Sequence, residues 1–329
     1  MAAASDARNI FTLVRKSIDV RAVHVHVRKP FRFLLCGDPA LIAEFRALLL
    51  GGYDGPVPVE AAACLETIRA EMPLVTNPNE VRAIIFLGRG LDAAHADFGA
   101  LSTLNVPIFA ITVDPDAAPA GPSTPPEPGM WSEYVVPSLT RDALRGRLFL
   151  HLIERARGAE IAIGRSFPVL RDTVAAKLTR DAANNALKVA LASAVVDHIP
   201  VVGFVLGAFA SAGDMVAITG IQVMLMLHIE AVYGRDPDVG RTWQLLPVIG
   251  GGFGWRTLAR ELVGFVPVAG IAIKGAIAYA GTIVVGEGVT FFQEHGSYMT
   301  KGQASVLYER AKADALRFAR ELIGKLRRK

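Results

Sequence analysis

The first half of the chain alternates short apolar runs with amphipathic stretches. The apolar runs predict strands at Phe31–Gly37, Val81–Leu87, Val106–Val113 and Tyr134–Val136. The amphipathic stretches predict helices at Ala40–Leu50, Glu60–Glu71 and Arg141–Arg157. Strands that alternate with helices favour a doubly wound, mostly parallel sheet. This half is therefore predicted to be an α/β domain covering residues 1–160.

A further period-two pattern lies ahead of these strands, at Val20–Val27. Val23, Val25 and Val27 fall on one side, and His24 and His26 fall on the other. This alternation predicts a strand with one buried face. Two histidines on a shared face are candidate metal ligands, but no neighbouring carboxylate or cysteine completes a ligand set. We interpret them as an exposed polar face and predict no metal site.

The second half, residues 161–329, is dominated by long runs without formal charge. Ile199–Gly213 and Met215–Ile229 are each 15 residues long, and Leu262–Gly286 carries one charge, Lys274. Two segments echo each other, Ile199–Leu206 and Val266–Ile273, and each places Pro and Gly between apolar arms. Because Pro ends a helix and Gly permits a turn, each is a candidate hairpin apex. The prediction is an all-α domain of apolar, glycine-rich helical hairpins.

Small residues recur at a spacing of four in these hairpins, at Gly203/Gly207 and at Ala276/Ala280. Such pairs let helices approach closely. A membrane span needs about 20 predominantly apolar residues. Asp214 or Lys274 at the bilayer centre would cost about 2.5–3.5 kcal/mol. Spanning hairpins, shallow hairpins in one leaflet and a soluble bundle all remain open, with membrane contact preferred. The polar residues that interrupt the apolar region are Asp197, His198, Asp214, Glu261, Lys274 and Glu287.

Composition supports this preference. Apolar residues make up 52% of the chain and charged residues 20%, against about 45–50% and 25% in typical soluble domains. The net charge of +4 is concentrated in the terminal segment Lys325–Lys329, at the end of a predicted basic amphipathic helix, Val306–Lys329. Such a cluster fits an anionic membrane face as well as a solvated helix end. No basic stripe with interleaved aromatics suggests nucleic acid. The two cysteines, Cys36 and Cys64, form no disulfide framework, and the N-terminus lacks a signal pattern, so the first half is expected in the cytosol.

The strand ending at Gly37 is the place where a phosphate-binding loop would begin. The Walker pattern needs Gly, Lys and Ser/Thr at the last three positions, and this chain has Ile42, Ala43 and Glu44 there. Among the other GTPase elements, only Asp116 and Ser138 survive as remnants. We therefore predict a degenerate P-loop-like domain with no catalytic residue and no cofactor.

The helical half resembles an uncharacterised bacterial domain of unknown function that is often attached to the C-terminus of Era-like GTPase domains. The resemblance spans about residues 167–295. It is carried by Asn185-Ala-Leu, Gly213-Asp-Met, Gln222–Glu230, Val232-Tyr-Gly234, Gly250–Gly270, Lys274-Gly275 and Tyr279–Thr282. It implies membrane association without an assigned activity. It also supports the interpretation of residues 30–157 as a degenerate GTPase-like domain.

The resulting hypothesis is a non-catalytic adaptor or regulator at the bacterial cytoplasmic membrane, with its first domain facing the cytosol. Its expected partners are lipid, and a second copy or another protein bound through the helical domain. The alternatives are a divergent GTP-binding protein or NTPase, and a soluble, cytoplasmic interaction or oligomerisation protein.

Overall fold

The computed structural model describes residues 20–69, 77–89, 98–196, 203–240, 242 and 267–326. The contacts divide the chain into two compact units. The α/β unit comprises His24–Val174 together with Val232–Gly234. The helical unit comprises Ala175–Ala231 and Arg235–Lys329, together with Met1–Val23. The domain boundary after residue 160 stays a prediction.

Short helices and five strands make up the described chain up to residue 170. In order they are α1 (Val20–Val27), β1 (Arg32–Gly37), α2 (Pro39–Leu50), α3 (Val59–Ala63), β2 (Leu65–Thr67), a 3-10 turn (Pro78–Glu80), β3 (Val81–Arg89), α4 (Gly99–Ser102), β4 (Ile108–Val113), β5 (Trp131–Val136), α5 (Arg141–Leu144), a π turn (Arg145–Phe149), α6 (Leu150–Glu154), α7 (Glu160–Ser166) and a 3-10 turn (Pro168–Leu170).

The five strands form one parallel sheet in the order β2-β1-β3-β4-β5. Leu34, Ile84 and Ile108 pair across β1, β3 and β4 and lie in a core that also contains Phe98 and Leu101. The residues that follow them face the other side, and Leu35, Ile85 and Phe109 are also fully buried. Burial on both faces explains why these strands are continuous apolar runs in the sequence. The predicted α/β class with a parallel sheet is confirmed.

Helix α2 begins where the sequence predicts. Asp38 is its N-cap, with an extended backbone, and Pro39 occupies the first helical position. An N-cap carboxylate followed by Pro is a strong helix start because Pro has no N–H to satisfy. The predicted helix from Ala40 to Leu50 is confirmed.

The predicted strand at Val20–Val27 is wrong, because the segment forms helix α1. Val23 is fully buried while Val25 is 67% exposed, so the valines do not share a face. In a helix, residues two apart differ by about 200° around the axis. His24 and His26 therefore point in different directions and cannot chelate one ion.

Of the predicted helix from Glu60 to Glu71, only the first turn is helical in the described residues, which end at 69 in this segment. Helix α3 ends at Ala63, and the next residues form β2, which pairs in parallel with Phe33–Leu35 of β1. Hydrogen bonding to the open edge of β1 overrides the local helical pattern. The predicted helix from Arg141 to Arg157 is likewise divided into α5, the π turn and α6, and ends at Glu154.

Long helices build the helical unit. They are α8 (Arg171–Val196, whose first turn belongs to the α/β unit), α9 (Gly203–Val232), α10 (Pro267–His295) and α11 (Lys301–Leu326). Ala186, Ala190 and Ala278 form an apolar layer with Ile218 and Ile221, so α8, α9 and α10 meet there. Helices α10 and α11 pack through a second cluster, Ala280, Val284, Ala304, Tyr308 and Ala311. The helical character of the second half is confirmed over the described residues.

The two predicted hairpin apices fall at helix starts in the described chain. Gly203 begins α9 and Pro267 begins α10. Residues 197–202 and 243–266, which include the glycine-rich segment 250–254, lie outside the described residues.

Helices α8 and α10 touch through glycines that the small-residue spacing did not single out. A methyl group on Gly286 would lie 2.3 Å from Oγ1 of Thr179, and one on Gly275 would lie 2.7 Å from Cδ1 of Leu187. The methyl group on Gly286 would also lie 2.8 Å from Cβ of Thr179, so glycine is required there, whereas the contacts at Gly275 are the ends of flexible leucine side chains. The predicted pair Ala276 and Ala280 is fully buried in the same helix.

Replacing Gly286 by alanine is expected to destabilise the helical unit by about 1–3 kcal/mol, because α8 and α10 must separate to admit the methyl group. Gly220 is the matched control, since it lies in α9 with no atom within 4 Å of an added Cβ. Gly220→Ala should stabilise by about 0.5–1 kcal/mol, the ordinary helix preference for Ala. Urea unfolding of the full chain measures both. Equal changes in the free energy of unfolding for the two substitutions would contradict the close contact between α8 and α10.

Candidate functional site

The sheet has one point at which the strand order reverses, between β1 and β3. The chain proceeds from β1 to β2 on one side and from β3 through β5 on the other. In open parallel sheets, ligands bind at the carboxyl ends of the strands beside such a point. Here those ends carry Gly37 and Arg89. This edge is where a nucleotide would be expected.

Asp38 already occupies the N-terminus of α2 at this edge. Its Oδ1 accepts hydrogen bonds from the backbone N–H groups of Ala40, at 2.7 Å, and Leu41, at 3.1 Å. Its Oδ2 lies 3.4 Å from Nε of Arg89. The hydrogen bond from Leu41, followed by that from Ala40 and by Arg89, lowers the pKa of the Asp38 carboxyl. The donors that would hold a phosphate therefore already hold an ionised carboxylate.

Packing against β3 explains why residue 37 is a glycine. Its φ is +109°, and an added Cβ would lie 2.1 Å from the carbonyl oxygen of Leu87. The next residue, Asp38, donates its N–H to that same oxygen at 2.8 Å. Glycine is required here because two backbones meet, whether or not a ligand binds.

The other two predicted remnants lie at the same edge, each engaged in a local turn. Asp116 is exposed after β4, and its N–H donates to Oδ1 of Asp114 at 3.1 Å. Ser138 follows β5, with its hydroxyl 3.2 Å from that of Thr140, the N-cap of α5. Since β3 separates β1 from β4, Gly37 and Asp116 are roughly 10 Å apart by strand spacing alone.

A cavity of about 770 Å³ lies at the opposite, amino edge of the sheet. That volume is within the range of small-molecule sites, about 300–1,000 Å³. The cavity forms where α1 leads into β1, beside the residues that precede β2 and β3 and the end of α7. Its lining residues are Val27, Arg28, Lys29, Pro30, Phe31, Arg32, Tyr53, Pro58, Glu60, Ala61, Ala63, Cys64, Glu80, Ala162, Arg165, Ser166, Arg171 and Gly234.

Positive charge predominates in this cavity. Its lining contains five cationic side chains and two carboxylates, Glu60 and Glu80. Arg32 is paired, with Nε 3.0 Å from Glu80 and Nη1 3.4 Å from Glu66. Lys29 donates to the carbonyl of Arg157 at 2.7 Å. The hydrogen bond to Glu80 contributes most to raising the pKa of Arg32.

Two tyrosine rings hold Arg171 on the cavity wall. Its guanidinium carbon lies 5.8 Å from the ring centre of Tyr53 and 5.9 Å from that of Tyr233. Its Nε lies 3.4 Å from the carbonyl oxygen of Gly164. Tyr53 is fixed in turn, because its hydroxyl donates to the carbonyl of Ser166. Burial lowers the pKa of Arg171, and the nearby charge of Arg165 lowers it further.

Sequence reasoning did not find this cavity. Its residues come from positions 27 to 234, and no motif joins them. The one local signal is the pair Arg165 and Arg171, which flank the break between α7 and α8. Tyr233 and Gly234 carry part of the family resemblance, but the resemblance assigned them no role.

Other polar clusters in the α/β unit are structural in character. The hydroxyl of Tyr134 lies 2.9 Å from Nδ1 of His151 in the core, where burial raises the pKa of Tyr134 and lowers that of His151. Oδ2 of buried Asp172 lies 2.9 Å from Nη2 of Arg141 and 2.7 Å from Nε of Arg145. Within the described chain, no group of three or more His, Cys, Asp and Glu side chains is placed to hold a metal ion.

The polar candidates of the apolar half are spread over several places. Asp214 lies in α9 and Lys274 in α10, while Asp197, His198 and Glu261 fall outside the described residues. Glu287 is partly exposed on α10. Comparisons with known protein families, with curated proteins and with solved structures found no match to this chain.

Gly37→Ala is expected to destabilise the α/β unit by more than about 3 kcal/mol, since it adds a backbone clash to the cost of a left-handed φ. Gly55 supplies the matched control, with φ +137° and no atom within 4 Å of an added Cβ. Gly55→Ala should cost about 1–2 kcal/mol from backbone strain alone. Denaturant unfolding followed by circular dichroism compares them, and similar costs would argue against the Leu87 contact.

Proposed function

We propose that this chain is a non-catalytic, membrane-associated adaptor or regulator. Its α/β unit is a doubly wound, GTPase-like domain whose P-loop is degenerate, and its helical unit attaches it to the cytosolic face of a bacterial membrane. The observation that carries the non-catalytic part is the Asp38 carboxylate on the N-terminus of α2, where a bound nucleotide would place its phosphates.

The neighbouring positions support the same conclusion. Ile42, at the second Walker glycine, is 7% exposed and packs into the core, so the chain cannot wrap a phosphate there. Ala43 and Glu44 are exposed on α2 and supply neither the lysine nor the magnesium hydroxyl. Glu44 adds a negative charge instead.

Nucleotide binding is therefore expected to be absent. Titration of the full chain with GTP or ATP and Mg²⁺ in a calorimeter should give no saturable heat. The amides of Ala40 and Leu41 are already bonded to Asp38, and alanine stands at the position of the Walker lysine. The divergent-NTPase alternative predicts micromolar affinity, and turnover that Asp116→Ala abolishes. Either observation would replace the proposed function.

Support for membrane attachment comes from α10. Its segment Gly275–His295, of 21 residues, is long and apolar enough to cross a bilayer, by length and composition. The 61% of its most apolar window that is buried inside the protein is equally typical of a core helix in a soluble bundle. Glycines that bring α8 against α10 fit a bundle held by close backbone approach, which membrane helices favour.

Flotation with anionic liposomes tests attachment of the full chain. We expect the protein to float and to stay with the lipid through an alkaline carbonate wash, because a bundle buried in hydrocarbon is not released by removing charge. A protein that stays in the soluble fraction, or that the wash releases, would overturn integral association.

A soluble interaction protein is the second candidate, favoured by a specific feature of α10. The partly exposed positions Tyr279, Ile283, Glu287 and Thr290 recur at helical spacing and place a carboxylate on one face. On the inner side, Nε2 of buried Gln222 lies 3.3 Å from Oγ1 of buried Thr282. Polar contacts of this kind also occur in soluble bundles. Recovery of a defined oligomer without detergent would favour this candidate.

A further inference from the structure

We propose that the cavity at the amino edge of the sheet binds a small organic anion, with its acidic group between Arg165 and Arg171 and its apolar body against the apolar side chains of the lining. The ligand class is a phosphate monoester or a carboxylate. This site lies at the other end of the sheet from the degenerate phosphate loop. It is independent of nucleotide binding and of membrane attachment.

Two like charges converge on this cavity. Arg165 and Arg171 both line it, and Arg165 is close enough to lower the pKa of Arg171. Two guanidinium groups that line one cavity repel each other, so an anion bound by both removes an unfavourable interaction and gains charge-assisted hydrogen bonds. The two tyrosine rings already hold the Arg171 group in place, which reduces the ordering cost of binding.

The lining of the cavity holds more cationic side chains than carboxylates, five against two. Glu80 is engaged by Arg32 at 3.0 Å, and Glu60 is exposed on α3. Arg28 and Lys29 add further positive charge at the rim. A cationic ligand would meet a surplus of like charge, whereas an anion is attracted.

Apolar side chains form the rest of the wall and define the other half of the ligand. They include Val27, Phe31, Pro58, Ala61 and Ala162. Phe31 is held edge-on by Phe33, at 5.6 Å between ring centres, and by Phe167, at 5.7 Å. A pocket of this volume, lined by both cationic and apolar side chains, suits an anion that has a ring or a short alkyl chain.

Cys64 provides a reporter inside the cavity. It lines the pocket, while the other cysteine, Cys36, is fully buried in β1. N-ethylmaleimide alkylates the thiol, and peptide mass spectrometry measures the rate at each cysteine. Burial raises the pKa of Cys64, so labelling is followed at mildly alkaline pH.

We expect 1-naphthyl phosphate or 1-naphthoate to slow alkylation of Cys64 in the full chain saturably, by about tenfold at ten times its Kd. Neutral 1-naphthol at the same concentration should not protect. Protection by the phosphate alone, the carboxylate alone or both supports the site and identifies the preferred head group. Equal protection by the neutral compound, or none by either anion, would overturn the proposal.

Arg165→Gln should abolish the protection, and Arg165→Lys should retain part of it. Arg69 supplies the matched control, since it is exposed on the α/β unit and does not line the cavity. In the Arg69→Gln variant, the anion should protect Cys64 from alkylation as it does in the unaltered protein. Calorimetry of 1-naphthyl phosphate gives a readout independent of thiol reactivity, and unchanged binding to a folded Arg165→Gln would refute the assignment.

Discussion

The turn from β1 into α2 is the contact on which the α/β unit depends. At Gly37 the backbone comes so close to Leu87 of β3 that no side chain fits. The N–H of Asp38 then bonds to the Leu87 carbonyl at 2.8 Å, while the Asp38 side chain caps α2. One short segment thereby pairs the two central strands, starts the first long helix and places a negative charge at the strand ends. A nucleotide-binding protein uses the same segment to surround phosphate.

Occupation of that edge by Asp38 changes where the unit can bind a ligand. The fold brings charged side chains to both ends of the sheet. At the carboxyl end, however, the Asp38 carboxylate is already paired with Arg89. At the other end, the junction of α7 and α8 brings Arg165 and Arg171 to a cavity with an apolar wall. Binding specificity in such a site comes from a few fixed polar groups within an apolar surface. Arg171, held between two tyrosine rings, has this character.

The helical unit depends on a different constraint, which is how closely its helices approach one another. Gly275 and Gly286 let α10 lie against α8, and alanines fill the layer in which α8, α9 and α10 meet. Small residues of this kind allow backbone-to-backbone packing, which is effective both in lipid and in the core of a soluble bundle. The same packing is therefore compatible with both functional candidates, and the surface of α10, with Glu287 on it, is what distinguishes them.

The sequence by itself determined the parallel α/β class, the strands β1, β3 and β4, the start of α2 and the helical second half. Strands buried on both faces must be apolar throughout, and an Asp-Pro helix start is a local signal, so these features can be predicted from neighbouring residues. The tertiary structure decided α1, β2, the need for Gly37 and Gly286, and the cavity. Five alternating residues, Val23–Val27, do not distinguish a helix from a strand, and β2 exists only because β1 offers an open edge. The cavity joins positions from 27 to 234, which only the folded backbone brings together.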